Sequence, residues 1–263
     1  MAEAISRVLV VLPTYDERAN LAPIVARVRS AVPSADILVV DDASPDGTGR
    51  LADRLAAEDV RVHTLHRPAK VGLGAAYVAG FSWGIDRGYD ALVQLDADGS
   101  HQPEQIPALV NRLADADLVI GSRWVAGGSV ENWPWTRTFL SRGGNLYTRM
   151  LIGLAVQDAT GGFRAWRRQA LEEVELSQIA SAGYCFQVDL TRRAAGAGLR
   201  IVEVPILFVE RTQGESKMSA AIVREALWRI TVWGLRDRRR RFSNPSAWRR
   251  REPVPAAREP EGS

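Results

Sequence analysis

The sequence predicts an α/β fold built on an open, mostly parallel sheet flanked by helices, and three observations predict it. Short β-branched runs alternate with longer helical patterns through the first half of the chain. Carboxylate-rich polar clusters stand directly after those runs. Hydrophobic residues make up 46% of the 263 positions, enough for one large core or two small ones. Strand and helix in alternation imply parallel neighbours joined by crossover helices.

In chain order the pattern gives a strand at 8–12 and a helix at 19–32, then 37–41 and 48–57, 60–66 and 74–87, 91–95 and 104–115, and a strand at 118–121. After Trp124 the alternation weakens. Helical, aromatic-bearing patterns lead to one more strand-like run at 200–209, and this half supplies elements for a second substrate. Residues 218–242 read as an amphipathic interfacial helix with a basic end. Ile222, Val223, Ala226, Ile230 and Trp233 form one apolar strip, and Trp228, Val232 and Leu235 form another. Two apolar sides require two neighbours. One is the core; the other is a membrane surface or a membrane-spanning anchor protein. The stretch 243–263, rich in Pro, Ala, Arg and Glu, reads as a disordered tail, leaving 1–217 as the catalytic domain.

Composition removes several classes. Cys185 is the single cysteine, so an internal disulfide and a cysteine-based zinc site are excluded, and a reducing compartment fits. No N-terminal signal pattern and no apolar window of roughly 18 residues is present. The formal charge is +3, with arginines crowded between Arg236 and Arg251. A basic tail alone suits nucleic acid, but the acidic strand ends and the lack of stacking platforms argue against it. Gly72, Leu73 and Gly74 lack the third glycine of a dinucleotide fingerprint, since Tyr77 stands there, and no GxxxxGK[ST] phosphate loop occurs. His63, His66 and His101 lack metal-ligand spacing and read as structural or surface residues.

In an open α/β sheet, ligands bind beyond the carboxyl ends of the strands. Asp96 and Asp98, one residue apart after the run 91–95, can share a divalent cation with a ligand's phosphates; a solvated turn is the plainer reading of the same triplet. Asp42 is placed to accept hydrogen bonds from a base or ribose, while Asp46 or Thr48 suits a helix cap.

Taken in order, ProThrTyrAspGlu at 13–17, ValValAspAspAlaSerProAspGlyThr at 39–48, LeuGlyAlaAla at 73–76, AspAlaAspGlySerHisGlnProGlu at 96–104 and GlySerArgTrp at 121–124 resemble the inverting glycosyltransferases of the GT-A fold. Arg137 with Ser141 and Arg142, ThrGlyGlyPheArg at 160–164, the stretch 183–189 and the stretch 209–218 narrow the resemblance to polyprenol or dolichol phosphate mannose synthases.

That resemblance implies Pro13, Tyr15, Glu17, Val40 and Asp42 around the guanosine of GDP-mannose, and Asp96, Ala97 and Asp98 at the diphosphate. Arg123, Val209, Arg211 and Lys217 would complete the donor site. It implies Mg2+ or Mn2+ on Asp98, Asp96 and Ser100, where Ser100 offers a hydroxyl in place of a stronger ligand. It also implies polyprenyl phosphate held by Arg137 and Ser141, with Asp98, Arg211 and Lys217 as catalytic residues, at the cytoplasmic face of a membrane. Asp189 stands where relatives often carry Glu and receives no catalytic role.

Overall fold

The structure, a computed structural model, describes residues 4–176, 179, 184–210 and 220–243. In chain order the elements are β1 Val8–Thr14, α1 Arg18–Ala31, β2 Asp36–Asp41, α2 Thr48–Glu58, β3 Val62–His66, α3 Leu73–Asp86 and β4 Ala91–Gln94. There follow α4 Ile106–Arg112, β5 Leu118–Ser122, β6 Ser129–Glu131, α5 Trp135–Thr148, β7 Arg164–Arg167, α6 Arg168–Glu173, α7 Tyr184–Ala197, β8 Ile201–Pro205, β9 Leu207–Val209 and α8 Ala220–Ser243.

Seven strands form one sheet in the order β3-β2-β1-β4-β7-β5-β8, parallel throughout except for β7, which runs against both neighbours. A small second sheet pairs β6 with β9. The period-2 alternation of β1 explains the two layers. Val10 and Leu12 pack under α1 and α4 with Leu21, Ile24, Val28 and Leu109. Leu9 and Val11 point the other way, to Tyr77 and Phe81 of α3 and to Phe186 and Leu190 of α7.

Helix α3 lies close on the sheet because glycine faces it. A Cβ on Gly84 would stand 2.7 Å from Cδ2 of both Leu9 and Leu92. Gly84→Ala gains about 1 kcal/mol of helix propensity but overpacks a filled layer at about 1–3 kcal/mol. A net loss of about 1–2 kcal/mol is expected in urea denaturation; a more stable variant would show that the layer has slack.

The strand-like run 200–209 divides in the structure. Pro205 ends the β8 ladder, lacking an amide donor, and the chain passes through Ile206 to join β6 as β9. The antiparallel β7 was not read from the sequence, because its ArgAlaTrpArg has two charged residues in four. Both are buried and satisfied by carbonyls: Arg164 donates to Gly161, Ala159 and Gln187, and Arg167 to Leu113 and Ala116. Burial pushes the Arg164 guanidinium down to about 9.

Helix α8 docks through Ile230 and Trp233 against Ile152, Leu154 and Val188, with Gly234 against Leu151. Of the two predicted strips, Ile230 and Trp233 face the core, whereas Trp228 and Leu235 are exposed. The side chains of Ile222 and Val223 and the tail 244–263 lie outside the described residues. No helix among the described residues is long and apolar enough to cross a membrane.

Surface carboxylates supply acid sensitivity. A backbone hydrogen bond from Arg61 holds Asp59 below its ordinary value, and Arg27 does the same for Glu104. Burial opposes the shift at Asp46 and Asp90, but hydrogen bonds from Thr48 and Arg18, and from Ser6 and Arg7, outweigh it. Folded values below unfolded ones contribute stability that is full above the unfolded pKa, about 4, and lost as pH falls through the folded values. The urea midpoint should therefore fall between about pH 5 and pH 3; an unchanged midpoint would contradict these assignments.

Candidate functional site

The carboxyl ends of β1, β2, β4 and β5 open on one edge of the sheet, and most of the predicted site residues gather there. The loops after β1 and β2 are tied together. Glu17 donates its backbone N–H to Thr48 Oγ1 at 3.0 Å, and Arg18 N–H reaches Asp46 Oδ2 at 3.1 Å. Asp46 also accepts the N–H and hydroxyl of Thr48 at 2.9 and 2.6 Å, a turn leading into α2, whose N-cap position is taken by Gly47 and by neither expected cap residue. Asp41 accepts from the Ser44 hydroxyl at 2.5 Å and from the Ser44 N–H at 3.2 Å, closing the turn.

Within this scaffold Asp42 is buried, paired with Arg67, and lies 3.4 Å from the Gly72 N–H. The Lys70 ammonium stands 3.5 Å over the Tyr15 ring. Each thus has a cation beside it, Lys70 at Tyr15 and Arg67 at Asp42, residues to which the sequence reading gave no individual role. Val40 and Ala97 are core residues by their side chains and offer a ligand only their backbone.

At the end of β4, Asp96 Oδ1 accepts from the Tyr77 hydroxyl at 2.8 Å. Burial, then the Asp96 charge, pushes that phenol well above its ordinary value, so Tyr77 remains a donor. Asp98 Oδ1 accepts the N–H and hydroxyl of Ser100 at 3.1 and 2.6 Å, which fixes the turn. The Val209 N–H donates to the Ser100 carbonyl at 3.0 Å, bringing β9 against this loop.

His101 is buried, as a structural histidine would be, yet its Nδ1 lies 4.0 Å from Asp96 Oδ2 and has no hydrogen-bond partner. Burial lowers its pKa against the pull of Asp96 and Asp98, leaving a neutral ring. Gly162 brings the 160–163 loop close, since a Cβ there would stand 3.4 Å from Asp96 Oδ2. The donor chemistry fits a hard divalent cation: two carboxylates with a hydroxyl beside them, in a pocket edge whose remaining ligands would come from phosphates and water. Among the described residues no three His, Cys, Asp or Glu side chains are grouped as a metal cage.

Beyond the carboxylates the same edge is aromatic and basic. Arg123 is buried and held side-on by Asp158, whose two carboxylate oxygens accept from Nε and Nη2 at 2.7 Å each. Burial alone would raise Asp158; the Arg123 charge and hydrogen bonds hold it below its ordinary value. Trp124 and Trp133 each meet two guanidiniums: Arg123 and Arg142 at the first, Arg123 and Arg137 at the second. Arg137 pairs with Glu210 at the end of β9. Ser141 lies one turn further along α5, and its carbonyl accepts from Asn145 Nδ2 at 3.1 Å. Asp189 accepts from Arg192 at 2.9 Å, tying α7 together near α8. Arg211 and Lys217 lie outside the described residues.

The family model described as glycosyl transferase family 2 matches residues 9–175. A polyprenol monophosphomannose synthase of Mycolicibacterium smegmatis is 56% identical over 234 residues, 88% of this chain and 88% of that protein. An undecaprenyl-phosphate mannosyltransferase of Micrococcus luteus is 58% identical over 232 residues, 88% of this chain and 96% of that protein. Among solved structures, a mannosyltransferase from Pyrobaculum calidifontis in complex with GDP-Man and Mn2+ superposes with a TM-score of 0.55 at 18% identity, over 89% of this chain and 64% of that one. That likeness speaks to the fold alone, the GT-A arrangement.

Proposed function

The chain belongs to glycosyl transferase family 2, and we propose that it transfers mannose from GDP-mannose to a polyprenyl phosphate, with inversion at the anomeric carbon. The observation that carries the reading is the nearness of two groups at one sheet edge: the carboxylates Asp96 and Asp98 with Arg123, reached through His101 and Phe208, and the arginine and tryptophan cluster of Arg137, Trp133 and α5. One half suits a cation and diphosphate; the other suits a phosphate monoester. The identity to polyprenyl phosphate mannosyltransferases supports the same substrates.

A phosphate monoester has a second pKa of about 6, so its oxygen attacks the anomeric carbon without a general base. The new bond is from phosphate oxygen to C1. The bond that breaks is from C1 to the diphosphate oxygen, which leaves as GDP with the electron pair. Tyr77 and Ser100 hold the carboxylates of Asp96 and Asp98 in place. Mg2+ or Mn2+, held by Asp96 and Asp98 beside Ser100, would supply Lewis-acid compensation for the charge of the leaving diphosphate. Tyr15, Glu17 and Asp42, with Pro13 and the Val40 backbone, take the guanosine. Arg211 and Lys217 belong to the donor side of this reading.

Arg137 binds the acceptor's phosphate together with Ser141, exchanging Glu210 for the ligand. Arg137→Ala is expected to raise the acceptor KM about 10–100-fold, the worth of a hydrogen bond to a charged group, with the GDP-mannose KM within about twofold. Equal shifts in both constants would place Arg137 elsewhere.

The lipid also needs a surface. Trp135, Phe139, Leu146 and Met150 are exposed at helical spacing along α5 and the turn after it, and Leu227, Trp228 and Leu235 are exposed on α8. We assign this apolar surface to peripheral contact with the cytoplasmic face of a membrane, with 1–217 as the catalytic domain and 218–242 as the interfacial helix. A membrane-spanning anchor protein is the alternative occupant.

The direct experiment is transfer of labelled mannose from GDP-mannose to a short-chain polyprenyl phosphate, with Mg2+ or with EDTA. A chloroform-soluble labelled product that EDTA abolishes is expected. Product from UDP-glucose and none from GDP-mannose would overturn the donor.

A further inference from the structure

Asp158 lies in the loop between α5 and β7 and is fully buried. Besides Nε and Nη2 of Arg123, it accepts the Arg123 backbone N–H at 3.1 Å. Arg123 Nη2 continues to Thr160 Oγ1 at 3.0 Å, and that hydroxyl lies 3.2 Å from Asp158 Oδ1. A further donor arrives from the opposite side. Asn145 of α5 is 2% exposed, and its Nδ2 stands 3.4 Å from Asp158 Oδ1, 3.1 Å from Thr160 Oγ1 and 3.1 Å from the Ser141 carbonyl. The loop is itself anchored, because Glu203 of β8 accepts the N–H groups of Gln157 and Asp158 at 2.7 and 2.8 Å.

Two features set this cluster apart from ordinary core packing. The Asn145 amide cannot turn over, since its oxygen would then face a carboxylate, a hydroxyl oxygen and a carbonyl. In the orientation it holds, Oδ1 is buried without a hydrogen-bond partner. An apolar side chain at this place in α5 would avoid that cost but would sever the helix from Asp158. The cluster also connects the two halves of the site: Arg123 follows β5 on the donor side, while α5 carries Arg137 and Ser141.

We propose that Asp158 and Asn145 are a positioning pair, one buried carboxylate and one amide, that hold the acceptor helix α5 at a fixed distance from Arg123 and so set the line of attack of the acceptor's phosphate on the donor sugar. This rests on the mannosyl-transfer reading above. Placement matters at this level because a displacement of about 1 Å between reacting groups costs about 100-fold in rate.

Asn145→Ala tests the pair while leaving the Arg123–Asp158 ion pair intact. Transfer is expected to fall about tenfold or more in kcat/KM for the polyprenyl phosphate, with GDP affinity within about twofold of wild type. The ratio of GDP-mannose hydrolysis to mannosyl transfer should rise about tenfold, because water needs no alignment by α5. Asp158→Asn should raise the same ratio and also weaken GDP binding through Arg123. Concentrations are set by active protein titrated with GDP, so a variant that folds poorly is not scored as a slow one.

Unchanged kinetic constants and an unchanged hydrolysis-to-transfer ratio in titrated Asn145→Ala would overturn the proposal and leave the cluster a packing feature. Wild-type protein that binds GDP but transfers no mannose to lipid would instead remove the parent reading, and the positioning role with it. That outcome is visible before any variant is made.

Discussion

Asp98→Ala is expected to lower mannosyl transfer by about 1,000-fold or more with the protein still folded. Removing one preorganised electrostatic partner of a developing negative charge costs about 100–1,000-fold in rate. Asp98 also stands with Asp96 as one of two carboxylates available to a shared cation, so its loss removes charge compensation and cation affinity together. The structural cost is small by comparison. The substitution frees the buried N–H and hydroxyl of Ser100 from Asp98 Oδ1, two bonds at about 1 kcal/mol each. Melting temperature should change by a few degrees at most, while Mn2+-dependent binding of GDP-mannose and lipid product are both lost. Transfer within tenfold of wild type would show that the cation, if used, is held without Asp98. Asp96→Asn should be milder in fold and similar in activity, because Tyr77 can still donate to the amide oxygen.

The gathering of the carboxylates at one sheet edge was legible in the sequence because it is local. Each strand of the first half ends in polar residues within a few positions of its last core residue, so strand order and the carboxyl-end rule bring Tyr15, Asp42, Asp96 and Asp98 to one edge. What escaped was long-range and polar. Arg67 and Lys70 acquire their roles only when β3 lies beside β2, and Asp158 meets Arg123 from 35 positions away with no spacing rule to announce it. Tyr77, read as the residue that spoils a glycine fingerprint, proves to be the hydroxyl that holds Asp96. His101 shows no ligand spacing, and only packing against Phe163 and Phe208 brings it to Asp96.

The arginine and tryptophan cluster about α5 was singled out through resemblance more than through residue patterns. Arg137 is one of many arginines until Trp133 and Glu210 surround it, and α5 exposes its apolar positions where a soluble helix would bury them. A helix that fails the usual inside-outside pattern gives a weak periodic signal, and this is why the alternation fades after Trp124.

The strand that the sequence concealed most completely carries the other large expected effect. Trp166→Ala should destabilise the protein by about 4–5 kcal/mol, a large share of the 5–15 kcal/mol that holds a domain folded. Trp166 is fully buried at the centre of β7, between Leu92 of β4 and Leu118 of β5, and its Nε1 donates to Gln94 Oε1 at 2.9 Å. Truncation removes the ring's transfer energy and leaves a cavity, about 3–5 kcal/mol for Trp to Ala. It also strips the Gln94 oxygen of a donor inside the sheet, which adds toward the upper end. Function should suffer in the surviving folded fraction, because β7 lies in the sheet between the strand leading to Asp96 and the strand leading to Arg123. Trp166→Phe keeps most of the volume and should cost about half as much, separating the cavity from the lost hydrogen bond. Equilibrium urea unfolding followed by circular dichroism decides the matter: a loss below about 2 kcal/mol for the alanine variant would mean that β7 can collapse around the gap, and that the two halves of the site are joined more loosely than the register of this sheet implies.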